Sequence, residues 1–281
     1  MKKLQSMVFV AALFTFGVSH SEVIISSNLE VDTLDEVFSG VNKYAGVTVE
    51  LSSDYSHSGR KSIKIGYPKD EAGVELQVPS FSSTTTLFTR KYEYYALGWE
   101  SNWPIGLKTS RYFTTPNYGI SGSLPGGYAY MSEKLIYQTY DATCNEEYGM
   151  GLNNAIYNMD LKSTYSTAQI FRNSASFIRT GHWYKYETWM VLNSAVDKAD
   201  GVLKLWIDDV LVYSNEAVMW KSSARGVPNG DGWQSMWFGG NYSGAICGGP
   251  SETLYRYIDD VYLSTSYDRD DRPSQVSLGV E

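Results

Sequence analysis

Apolar and polar residues alternate with a period of two along most of this chain. Ser62, Ile63, Lys64, Ile65 and Gly66 alternate cleanly, as do Val74, Glu75, Leu76, Gln77 and Val78, which is the pattern of half-buried β-strands. From Gly201 to Tyr213 two apolar runs flank Asp208 and Asp209, and this arrangement predicts a tight hairpin. Only the stretch around Leu34–Val41 resembles a helix. Many strands, short polar turns and no β-α-β alternation predict an all-β sandwich or jelly roll. No proline-rich linker, charge block or repeat interrupts residues 22–267, so one domain is expected there, followed by a polar tail over 268–281.

The chain opens on Lys2 and Lys3, an apolar run from Met7 to Val18 and the small-residue exit Ser19-His20-Ser21. A basic start, a short apolar stretch and such an exit predict a signal peptide over 1–21, and the product is expected to be secreted or periplasmic. No later stretch is apolar enough to cross a membrane. Cys144 and Cys247 are the two cysteines and both lie in the exported part, so they are expected to form a disulfide.

The chain has 281 residues, 43% of them hydrophobic, with 23 tyrosines against 3 histidines. Tyrosine and tryptophan favour strands and offer flat amphipathic contact surfaces, which suits sugar polymers. Loss of residues 1–21 removes two lysines and takes the formal charge from −8 to −10, which argues against nucleic acid.

Strand faces supply the candidate site. In Tyr128–Gln138 one face collects Tyr128, Tyr130, Ser132, Lys134, Ile136 and Gln138, a mixture of aromatics, polar groups and a cation. Strict alternation over 107–113 puts Lys108, Ser110 and Tyr112 together and Leu107, Thr109, Arg111 and Phe113 opposite. Over 183–193 it groups Trp183, Lys185, Glu187, Trp189, Val191 and Asn193. Three such strands are expected to pave one groove for an extended polar ligand.

The residue types restrict the chemistry. No His-x-x-x-His or Cys-x-x-Cys spacing, Gly-x-Ser-x-Gly elbow or glycine-rich phosphate loop is present. The paired acids of glycoside hydrolysis are missing as well, because Glu187 has no evident partner. Tyrosine and lysine remain. β-Elimination from a uronate needs a cation to neutralise the carboxylate and a base for the α-proton, and Lys108 and Lys134 with Tyr128 and Tyr130 are of the right kinds.

Gly181–Asn193, Ala199–Val212, Trp237–Asn241 and Tyr257–Ser264 resemble the core strands of concanavalin A-like jelly-roll polysaccharide lyases, the alginate and glucuronan lyase group, and Ser56–Ile65 resembles their early hairpin. The resemblance implies a jelly-roll fold and a site in which Lys108 matches the family lysine and Ser132 the serine of a Ser-x-Arg strand. Lys134 stands where that strand carries arginine, so a bidentate grip is lost. The later Tyr-x-Tyr pair is missing, with Tyr148 its nearest remnant and Tyr128 and Tyr130 preceding the serine instead. The resemblance and the strand faces together give the candidate catalytic set Lys108, Tyr128, Tyr130, Lys134 and Tyr148, and the faces add Ser110, Tyr112, Gln138, Lys185 and Trp189 to Ser132 as expected substrate contacts. Related sugar-binding jelly rolls imply a structural calcium held by Glu30 and Asp260, with no cofactor needed for catalysis. Two readings stay open: a monomeric, exported lyase acting on a uronate-containing polysaccharide, and a non-catalytic glycan-binding or cell-surface protein on the same scaffold.

Overall fold

The structure, a computed structural model, describes residues 22–44, 46–68, 72–99, 107–114, 130–137, 152–158, 169–170, 173–223, 232–242 and 252–269. Cys144 and Cys247 lie outside them. The alternating stretches become strands: β1 (Val23–Ser27), β2 (Gly40–Tyr44), β3 (Thr48–Ser52), β4 (Ser62–Tyr67), β5 (Ala72–Gln77), β6 (Thr86–Tyr95), β7 (Leu107–Phe113), β8 (Tyr130–Tyr137) and β9 (Leu152–Asn158). After them come β10 (Gln169–Ile170), β11 (Phe177–Ile178), β12 (Trp183–Val191), β13 (Gly201–Ile207), β14 (Val210–Val218), β15 (Ser235–Phe238), β16 (Asn241–Tyr242) and β17 (Leu254–Ser264).

They pair antiparallel in two sheets. The first runs β14-β13-β12-β6-β17-β4-β3 with β1 on β17, and the second runs β10-β9-β8-β7-β15-β5-β16 with β11 on β9 and β2 on β5. Asp208 and Asp209 both hold positive φ (47° and 67°), the conformation a two-residue hairpin turn requires, and they join β13 to β14 as the sequence predicts. The helix expected near Leu34–Val41 is instead a single 3-10 turn, Leu34–Glu36, in which Glu36 accepts the Asp32 and Thr33 amides at 2.9 Å. Gly40 then opens β2, whose Val41 pairs with Leu76, so sheet pairing overrides the weak local helical pattern.

Leu87, Met190, Leu203, Leu205, Ile63 and Ile65 of the first sheet face Val74, Leu76, Leu107, Met131, Leu135 and Phe238 of the second, forming one apolar layer. A group of charges lies within it. Lys91 Nζ is 2.7 Å from Glu133 Oε2 and 2.7 Å from Glu93 Oε1, and it also donates to the Ser110 hydroxyl. Glu93 accepts from Arg256 and from the Tyr95 hydroxyl, the latter at 2.5 Å. Glu133 Oε1 accepts from Tyr112 at 2.7 Å and Thr188 at 2.6 Å. The four charged side chains are all buried, and two cations balance two carboxylates. Burial pushes the Glu93 carboxyl up, but Arg256 and Lys91 outweigh it and hold the group below its ordinary value.

The outer face of the first sheet is partly covered by the segment that follows β17, Tyr267 to Arg269. The Tyr267 ring packs against Phe88, Trp189 and Trp206 at centroid distances of 6.0, 5.4 and 6.0 Å. Arg269 lies over Trp206, 4.5 Å from its ring centre, and donates to Glu187, which is 3% exposed. Asp268 and Arg269, expected in a polar tail, are thus docked by this ion pair and by the bond from Tyr262 to Asp268.

Two predictions follow from these charges. Because the folded value of Glu93 is depressed, the stability it contributes is complete above its ordinary value of 4.5 and is lost as the pH falls through the lower folded value. Denaturant titrations across that window should show a steeper acid-side decline for the wild type than for Glu93→Gln. Arg269→Ala should leave Glu187 buried without its counter-charge and cost about 3 kcal/mol, with Glu187→Gln recovering part of it in the same background. Urea midpoints of the two variants measure both effects, and an unchanged midpoint for Arg269→Ala would show that the docking of Arg269 carries no stability.

Candidate functional site

β7 departs from strict alternation. Leu107 packs in the core and pairs with Leu135, and Lys108 pairs with Lys134, but Ser110 pairs with Glu133, so Thr109 is an extra residue on the β7 side. This bulge changes the phase of the strand. Lys108 stays on the outer face of the second sheet, whereas Ser110 and Tyr112 turn inward to Lys91 and Glu133. The face expected to unite Lys108, Ser110 and Tyr112 is therefore not formed. Ser110 and Tyr112 belong to the buried ion group, and Arg111 and Phe113 take the outer positions.

On that outer face Trp237 of β15 lies between Gln77 of β5 and Arg111 of β7 in the register. The Arg111 guanidinium sits over the Trp237 ring, 5.7 Å from its centre, and Phe113 packs on the same ring at 4.9 Å. Glu75 accepts from Tyr44 at 3.2 Å and Asn42 at 3.4 Å and is 3.7 Å from Arg111. Burial, followed by the Glu75 charge, pushes the Tyr44 hydroxyl up to about 12, so Tyr44 remains a neutral donor and is unsuited to act as a base near neutral pH.

β8 continues this face. Ser132 pairs with Arg111 on one side and Tyr157 on the other. Its hydroxyl donates to the Ser110 carbonyl at 3.1 Å, binding β8 to β7 across the bulge. Tyr130 and Lys134 occupy the strand positions two residues to either side of Ser132, in the same alternation phase. The structure thus brings Lys108, Ser132 and the backbone positions of Tyr130 and Lys134 to one face. Tyr128, Gln138 and Tyr148 lie outside the described residues.

Three contributors to this face escaped the sequence reading. Arg111 was assigned to the opposite face because the bulge leaves no mark on a period-2 pattern. Trp237 and Tyr157 come from strands remote in sequence. For Tyr157 a signal exists, since Leu152, Asn154 and Ile156 alternate with Asn153, Ala155 and Tyr157 in one short run.

Lys185 and Trp189 are elsewhere. β12 belongs to the first sheet, so the groove expected from three strands does not form. Lys185 Nζ is held by Asp209 at 2.5 Å and Trp189 lies under Tyr267, both on the far side of the sandwich.

The carboxylates considered for calcium serve the turn before β4. Glu30 Oε1 accepts the Arg60 and Lys61 amides at 2.5 and 2.7 Å, and these bonds lower its pKa. Asp260 contacts His57 Nδ1 and accepts from the Ser58 hydroxyl, each at 2.6 Å, while the His57 ring stacks on Tyr92 at 3.5 Å. Asp259 accepts the His57 and Ser58 amides, yet burial raises its pKa to about 6. Glu30 Oε1 thus faces two amides, and Asp260 a hydroxyl and an imidazole nitrogen. Among the described residues no three acidic, histidine or cysteine side chains converge as a metal site.

No protein-family model and no curated protein matches the sequence. Solved structures match over most of its length. A PL-14 alginate lyase from Aplysia kurodai superposes with a TM-score of 0.57 at 15% identity, covering 87% of this chain and 100% of its own. An endo-β-1,4-glucuronan lyase from the fungus Trichoderma reesei gives 0.53 at 12%, covering 88% and 95%. An alginate lyase from Chlorella virus gives 0.54 at 12%, covering 80% and 92%. At such identities the likeness is one of fold, and the chain has the jelly-roll fold found in these alginate and glucuronan lyases.

Proposed function

We propose that this protein is an exported polysaccharide lyase that cleaves a uronate-containing chain by β-elimination on the outer face of the second sheet. The observation that carries the reading is the register of three adjacent strands: Lys108 and Arg111 on β7, Ser132 and Lys134 on β8, and Tyr157 on β9. It sets cations and a tyrosine position beside one another on a fold shared with lyases.

In the proposed reaction the Lys108 ammonium faces the uronate carboxylate and stabilises the charge that develops there. A tyrosinate takes the proton α to the carboxyl, the electron pair becomes a carbon–carbon double bond, and the glycosidic carbon–oxygen bond at the β-carbon breaks. The leaving oxygen takes a proton from a tyrosine hydroxyl. Tyr128, Tyr130, Tyr148 and Tyr157 are the candidates for these steps, since a cation beside a tyrosine would favour its ionised form. Lysine at position 134 gives a point charge where a guanidinium would give a fork, so recognition at that subsite differs from that of an arginine-bearing enzyme. Glu75, 3.7 Å away, offsets the charge of Arg111.

Ultraviolet absorbance of unsaturated products on a panel of alginates, glucuronans and glycosaminoglycans tests the reading. Turnover is expected on at least one uronan. Lys108→Ala should abolish it with little change in thermal midpoint, because the side chain lies outside the core. Tyr→Phe at the true base should reduce kcat by roughly a hundred- to ten-thousandfold while leaving binding nearly unchanged. Full activity in all four Tyr→Phe variants would remove tyrosine from the mechanism. Binding of a uronan with no unsaturated product would establish the glycan-binding reading in place of the lyase.

A further inference from the structure

The bulge that turns Lys108 outward is held from inside the sandwich. Thr109, the extra residue, offers its carbonyl to two donors: the Gly239 amide at 2.8 Å and Arg256 Nη2 at 3.1 Å. Arg256 comes from β17 of the opposite sheet, is fully buried, and its Nη2 also binds Glu93. On the next residue, the Ser110 hydroxyl receives Lys91 of β6. In a β7 without the bulge, Ser110 and Tyr112 would face outward. Lys91 and Glu133 would each lose a buried partner, and the Thr109 carbonyl would leave the reach of Arg256.

We infer that Arg256 is a positioning residue for Lys108, fixing from the opposite sheet the bulge on which the orientation of the site lysine depends. The inference rests on the proposed function only for its catalytic consequence. The structural claim, that Arg256 sets the bulge, stands apart from any activity. Both bonds leave from one nitrogen, Nη2, whose two N–H groups serve the Glu93 carboxylate and the Thr109 carbonyl, and the shorter side chain of a lysine would withdraw its ammonium from the carbonyl.

The test compares Arg256→Lys with Ile65→Val, a conservative core change at the β4 residue paired with Arg256, which trims the packing beside Arg256 but removes none of its hydrogen bonds. Two quantities are read on the folded proteins. One is the rate at which limiting acetic anhydride acetylates Lys108, measured by mass spectrometry against the exposed Lys198 as internal standard. The other is kcat on whichever uronan the wild type cleaves. Arg256→Lys should change the relative labelling of Lys108 severalfold and lower kcat by about ten- to a hundredfold, since displacement of a reacting group by an ångström has a cost of that order. Ile65→Val should leave both at wild-type values.

If Arg256→Lys does not fold, the double variant Glu93→Gln/Arg256→Gln takes its place. It removes both charges together, leaves Lys91 paired with Glu133, and is too short to reach Thr109. Labelling and kcat indistinguishable from those of Ile65→Val would overturn the inference. If the wild type cleaves no uronan, the proposed function fails and the labelling alone decides the role of Arg256.

Discussion

Two carboxylates and two cations sealed between apolar sheets constrain everything else in this structure. An unpaired charge in such a layer is costly, so Lys91, Glu93, Glu133 and Arg256 tolerate only arrangements in which every one of them is matched. The matching residues come from both sheets. Lys91 and Glu93 stand on β6 and Arg256 on β17, while Glu133 and the hydroxyls of Ser110 and Tyr112 belong to β8 and β7. The group therefore acts as a register lock between layers, a specification that aliphatic packing alone leaves loose.

The candidate site is the reverse side of this lock. Every inward partner on β7 or β8 fixes which neighbour faces out: Glu133 inward places Ser132 and Lys134 in the outward phase, and Ser110 inward does the same for Arg111. The outer face of the first sheet is used differently. Its aromatic residues are covered by Tyr267 and Arg269 on one part and by Tyr55 and His57 on another, the latter stacked on Tyr94 and Tyr92. Its aromatic residues are thus engaged in contacts within the chain itself.

Regular elements were legible in the sequence because alternation is a local signal. β4, β5 and the β13–β14 hairpin follow from it directly, and Asp208 and Asp209 announced their turn. The bulge was not legible, because one inserted residue inverts the phase of a strand without altering its composition. Ser110 and Tyr112 look like surface residues until Lys91 and Glu133 are brought to them from other strands. Lys185 and Trp189 were given the correct outward phase but the wrong companions, since sheet membership is set by pairings between residues far apart in sequence. Lys108 and Ser132 were identified through resemblance, and the register agrees with their sharing a face.

The central claim is that the outer face of β7, β8 and β9 holds the reacting sugar. A crystal structure of the Lys108→Ala protein soaked with a uronate oligosaccharide tests it most directly. The account predicts a sugar carboxylate beside position 108 and next to Ser132, with the ring lying along β8. A sugar bound instead on the first sheet, against Trp183 and Lys185, would contradict it.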